Sequence, residues 1–245
     1  MVSQFMQPNP ILHRLETIAK PSSQVMGIRG VMIKTATLLA VVFLGALGAL
    51  IFESSSIINT ALVWGGIATV ILALFTLFLP KLAWITAPIY AFVQGILLGS
   101  ISLAIEMIFP GIVINAILLT ILLLLAMCGF YIFFPVASHR LVPYVFGVTA
   151  ALGLVYFVDF ILNLFGFGVP YLHASGIIGI IIAIAILALA TLNLLGDFSF
   201  IDERIRRGEG KEYEWYAAFG LVVTLLWMYL RVIQLLALFA RERKS

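Results

Sequence analysis

The run "IIGIIIAIAILALA" at residues 177–190 constrains this chain more than any other feature. It has no alternation of apolar and polar residues, so it cannot be a half-buried or barrel-forming strand. It is also too long and too apolar for the surface of a soluble helix. A bilayer core of ~30 Å needs about 20 such residues in helical form. Comparable stretches recur along the chain, predicting seven membrane segments at 32–52, 57–79, 85–109, 112–134, 143–165, 175–200 and 213–239. With 63% hydrophobic and 10% charged residues, the chain lacks the polar surface to cover a globule in water. The expectation is an all-α integral membrane protein whose partner is the lipid bilayer. It divides into a polar N-terminal segment (1–30), a seven-helix membrane domain (31–240) and a basic tail (241–245). Residues 1–30 lack the basic start and short apolar core of a secretory signal, so the first apolar run is expected to stay in the mature protein.

Charge sets the expected orientation. Arg14, Lys20, Arg29, Lys34, Lys81, Arg140, Arg204, Arg206, Arg207 and Lys211 fall on one side of a seven-span arrangement. Arg241, Arg243 and Lys244 fall on the other. Ten basic residues against three put the N-terminus in the cytoplasm, although the basic tail also suits a six-span or re-entrant arrangement. Trp84, Trp215 and Tyr216 stand where aromatic anchors meet the membrane surface. Gly95 and Gly99 form a small-residue ridge for close helix packing. The net charge of +3 is too small and dispersed to suggest nucleic-acid binding, and the single cysteine, Cys128, excludes an intrachain disulfide.

Ionisable groups inside a membrane tend to find partners and mark pathways. Glu106, Asp159 and Arg231 fall at one level toward the outer face, at depths read from ~1.5 Å of rise per residue. They read as an ion pair that lets Arg231 sit in the bundle, or as an outer gate. Asp197 belongs to the opposite half. If the sixth helix continues to Arg207 with Gly208 as its stop, Asp197 lies ~15 Å before the helix end, level with Thr224 on the returning helix. Asn193, one turn earlier, is then placed to hydrogen-bond the carboxyl group. If the helix ends near Leu195, Asp197 is a solvated cap; the spacing leaves both open.

Several chemistries do not fit. Residues 213–239 contain no lysine for a retinal Schiff base, and no HExxH motif is present. His13, His139 and His173 fall in polar segments, leaving Ser100 without a membrane histidine to activate it. Asp159 and Asp197 lie at opposite levels, so they cannot share a proton as an aspartyl protease dyad does. Nothing reads as an enzyme, and no cofactor is expected.

The segments "DFSFID" (197–202) and "KEYEWYAAFGLVVTLLWMYLRVIQLL" (211–236), with Gly95, Gly99 and Glu106 in the third helix and "NPILHRLE" near the start, resemble the transmembrane Bax inhibitor motif family, in particular its bacterial Bax inhibitor-like branch. The resemblance implies a seven-helix bundle with the last helix central, in the cell (inner) membrane. It also implies a pH-sensitive calcium leak, seen in some members, in which an aspartate on helix six pairs with one on helix seven. Asp197 matches the first; Thr224 stands at the second and cannot ionise. Gln94 and Arg231 stand where close relatives often carry glutamate. Calcium, as a transported ion, prefers six to eight oxygen ligands. Asp197, the one metal contact the sequence offers here, has only Asn193 and Thr224 beside it, so any passing ion stays largely hydrated. The competing expectation is a non-conducting regulator that binds membrane-protein partners through its charged 200–212 loop.

Overall fold

The computed structural model describes residues 25–51, 55–165 and 176–243. His13, Arg14, Lys20, His173, Ser175 and Lys244 lie outside them. Among the described residues seven helices follow one another: α1 (Ile28–Ile51), α2 (Ser55–Phe78), α3 (Ala83–Ile108), α4 (Ile112–Phe133), α5 (Pro135–Leu164), α6 (Gly176–Arg206) and α7 (Tyr213–Glu242). A 3₁₀ turn, Pro80–Leu82, leads into α3. Among the described residues no strand forms; the one isolated bridge pairs Val25 with Gly210. Six helices are long and apolar enough to cross a membrane, and α2 adds the shorter apolar stretch Trp64–Phe78. The protein is an all-α multi-pass membrane bundle.

Element ends follow local chemistry. Pro135 opens α5, since a proline at the first helical position gives up only an N–H that would be unpaired anyway. The α5 helix therefore starts eight residues before the predicted 143, and Arg140 is helical rather than part of a link. Phe134 is at once the last cap of α4 and the first of α5, so a single residue separates the two helices. Gly208 takes the left-handed conformation (φ +67°) that ends α6, with Gly208 N–H donating to the Ile205 carbonyl and Glu209 N–H to that of Arg204. Hydroxyls in the apolar helices bond back to their own backbone. Thr35, Ser100 and Thr191 each reach the carbonyl four residues earlier, so these polar groups are not left bare in hydrocarbon.

The core gathers on the last helix. Leu221, Val222, Met228, Val232 and Ile233 of α7 are all nearly inaccessible. The α7 helix packs against α1, α3, α4 and α6, while α2 leans on α3 and α5 leans on α6. The last helix is thus central, with four helices as its close neighbours. Lipid tails are as apolar as leucine, so tight packing, not exclusion of water, holds such helices together. Gly95 and Gly99 serve that packing between α1 and α3. A Cβ on Gly99 would fall 2.7 Å from Ala46 Cα, and one on Gly95 would collide with the Val42 backbone. Side-chain bonds join helices elsewhere: Thr76 of α2 to Thr86 of α3 at 2.8 Å, and Ser102 of α3 to Tyr229 of α7 at 2.7 Å.

Candidate ion-path site

Asp197 lies inside α6, nine residues before its last residue, Arg206, or ~14 Å along the axis. It is not a solvated cap. The facing helix supplies Thr224, whose hydroxyl lies beside the Asp197 carboxyl group. The second carboxylate oxygen, Oδ2, is shut off from solvent and has no hydrogen-bond partner. The structure thus brings Asp197 and Thr224 together across the α6–α7 seam.

Asn193 is not part of this pair. Its amide nitrogen donates to Thr149 Oγ1 of α5 at 2.8 Å and to the Leu189 carbonyl at 2.9 Å. One helical turn puts Asn193 near Asp197 in height, but its side chain turns toward α5. The oxygen set around Asp197 is smaller than the sequence suggested. No group of three or more His, Cys, Asp or Glu able to hold a metal ion occurs among the described residues.

Below Asp197 the seam is filled by aromatic rings and one cation. Phe200 and Arg204 follow Asp197 on the same face of α6, and Tyr216 and Tyr213 precede Thr224 on the matching face of α7. The Arg204 guanidinium stands 4.3 Å from the Phe200 ring centroid, 5.4 Å from that of Tyr213 and 5.5 Å from that of Tyr216. Glu209, in the link after α6, pairs with it. The charged segment is less of a loop than expected. Residues 200–206 are helical, and Asp202–Arg206 (2.5 Å) and Glu203–Arg207 are ion pairs one turn apart along α6. Charges offered to a partner by the 200–212 segment are largely matched within it.

The outer charged residues take separate partners. Glu106, near the end of α3, accepts from Gly111 N–H at 2.5 Å and Val113 N–H at 3.0 Å, capping the start of α4. Arg231 donates to Gln234 at 2.8 Å and stands over the rings of Tyr156 (5.4 Å) and Trp227 (5.8 Å). Asp159 is buried at 5% exposure. Among the described residues no ion pair joins Arg231 to Glu106 or Asp159, in place of the pairing expected from their shared level. An arginine can stay in such a place because aromatic faces and a side-chain amide replace a carboxylate. Glu106 also borders a cleft of about 560 Å³ between α1, α3, α4 and α7, and Arg231 borders one of about 500 Å³ beside α3. Asp197 borders neither of these two clefts.

The sequence reading missed Glu214. Only 2% exposed at the first turn of α7, it pairs with Lys34 of α1 and accepts from Gly27 N–H at 3.1 Å. A Cβ on Gly30 would overlap that carboxylate, so the first turn of α1 carries a glycine where Glu214 docks. Trp215 lies under the Lys34 ammonium at 5.6 Å. The neighbouring Met26 N–H donates to the Glu209 carbonyl at 2.8 Å, beside the Val25–Gly210 bridge. The start of α1 is therefore clipped to the α6–α7 link. A lysine one turn inside the first span, behind two glycines, was the available signal.

Comparison with curated proteins and with solved structures gives no match. The sequence model of one family does match, over residues 9–241, which takes in every helix of the bundle except the last residue of α7. That family is described as Bax inhibitor 1 like, and the chain belongs to it.

Proposed function

We propose that this protein is an ion-homeostasis component of the bacterial cell (inner) membrane, N-terminus in the cytoplasm. In this reading it is a calcium leak whose path follows the α6–α7 seam past Asp197, and it performs no catalysis. One observation carries the reading: a carboxylate inside a membrane helix, with one oxygen lacking a hydrogen-bond partner and the Thr224 hydroxyl beside it. An ionisable group is costly at such a depth and is kept where it serves a path or a partner. A single carboxylate and a hydroxyl cannot replace the six to eight oxygens calcium prefers, so the ion passes largely hydrated and weakly held. The proton-sharing that two adjacent carboxylates provide is missing, and the leak should respond weakly to pH.

The test is to complete the pair. Thr224→Asp in proteoliposomes should make calcium flux depend on pH between about 6 and 8, the range in which coupled carboxylates share a proton. Asp197→Asn in that background should remove the gained response, and Asp197→Asn alone should lower the basal flux. A folded Thr224→Asp protein with an unchanged pH profile would exclude an ion path between these two residues.

A further inference from the structure

Arg204 is the feature of the seam that the proposed leak does not yet use. It follows Asp197 by seven residues, two helical turns or ~10 Å, on the same face of α6. Phe200 lies between them, and Tyr213 and Tyr216 close the other side from α7. Phe200 and Tyr216 also meet each other, with ring centroids 6.1 Å apart. Between this cluster and the Asp197–Thr224 pair stands Gly220, where an added Cβ would meet nothing within 4 Å; the same holds at Gly196. The loop end of the seam is thus filled by three rings and a guanidinium.

Three aromatic faces arranged around one point make a site for a cation, because each ring presents a negative quadrupole. Here the protein's own guanidinium occupies that site. Glu209 holds it there from the link, while the nearby Asp202 and Glu203 carboxylates pair with Arg206 and Arg207 instead. We infer that Arg204 is a tethered cation that plugs the loop-side mouth of the α6–α7 seam, so that an ion can reach Asp197 from that side only when the guanidinium swings out of its aromatic box. The inference rests on the leak reading and adds to it the residue that keeps the leak small. An ordinary interfacial arginine would not need to share a helix face with Asp197, nor to be ringed from both helices that form the seam.

The experiment uses the full chain in proteoliposomes loaded with a calcium indicator. Arg204→Ala removes both the blocking side chain and a positive charge ~10 Å from the path, and flux should rise roughly three- to tenfold for a divalent ion. Methylguanidinium chloride at roughly tens of millimolar, a concentration suited to a weak cation–π site, should re-block Arg204→Ala and leave the parent protein unaffected. Arg204→Lys keeps a cation but loses the forked pairing with Glu209, and should fall between the two. If Asp197→Asn lowers flux while Arg204→Ala does not raise it, the plug is wrong and the leak stands. If Arg204→Ala raises flux but methylguanidinium has no effect, loosened packing replaces the plug as the explanation. If Asp197→Asn changes nothing, no path runs along the seam and both proposals fall. Should Arg204→Ala fail to fold, Arg204→Lys decides alone: flux at or below the parent level overturns the plug.

Discussion

Glu214→Gln is the sharpest probe of how the bundle is held together. The substitution keeps size, and its amide oxygen can still accept from Gly27 N–H, so it removes mainly the charge opposite Lys34. Breaking a buried pair by removing one partner costs about 3–5 kcal/mol, because the other charge is stranded. The side chain of Glu214 is 3% exposed but that of Lys34 is 16%, so the stranded ammonium can lean toward the membrane surface. That places the loss at the lower end, about 3 kcal/mol. For a chain of this size, about 2–4 °C of melting temperature accompanies each kcal/mol, so a drop of roughly 6–12 °C is expected. The single cysteine, half-buried Cys128, offers the assay: a thiol-reactive fluorophore reports its exposure as the detergent-solubilised protein unfolds. Lys34→Met should cost a similar amount, and the double variant Lys34→Met/Glu214→Gln should recover much of the loss, because no charge is left without a partner. Two losses below about 1 kcal/mol that simply add would refute the reasoning and make the contact a surface pair of the weakly stabilising kind.

Two further outcomes follow from the packing and the charge pattern. Gly95→Val should push α1 from α3, because its side chain would enter the Val42 backbone; overpacking of this kind costs about 1–3 kcal/mol and should lower the same melting transition, while Gly129→Ala, at a site with open space, should not. Orientation can be read in a Cys128→Ala background. A cysteine at exposed Pro110 should react with a membrane-impermeant reagent on intact cells and one at Arg207 should not, and the reverse result would invert the topology.

Height along a helix is legible in sequence; direction around it is much less so. The seven segments stand out because a membrane span is a long, uniform signal, and Gly208 marks the end of α6 through its left-handed turn. The height of Asp197 opposite Thr224 follows from counting residues back from that turn. The same counting placed Arg231 level with Glu106 and Asp159, yet Arg231 points at Tyr156, Trp227 and Gln234. Asn193 likewise sits at the right height and turns toward Thr149. The charge of residues 200–206 leaves loop and helix both open in the sequence, although Asp202–Arg206 and Glu203–Arg207 have the spacing of helical ion pairs. Glu214 is hard to read for another reason: its partner Lys34 is 180 positions away, and the lysine inside the first span signals a need for a partner without naming it.

That distance has a consequence for how the protein is made. The helix at the centre of the bundle leaves the ribosome after the six helices it joins, and Lys34 enters the membrane with α1. At about 5–20 residues per second, roughly 10–40 s separate the synthesis of Lys34 from that of Glu214. Until then α1, α3, α4 and α6 have no α7 to close upon, and the first helix lacks the carboxylate that later docks at its start. Insertion must therefore produce a loose ring of helices that stays open to a latecomer. The closing of the clip at Gly27 and Lys34 then marks the moment when a collection of inserted helices becomes one folded unit. A chain stopped short of Tyr213 would be inserted but unfinished, the condition in which membrane quality control would meet it.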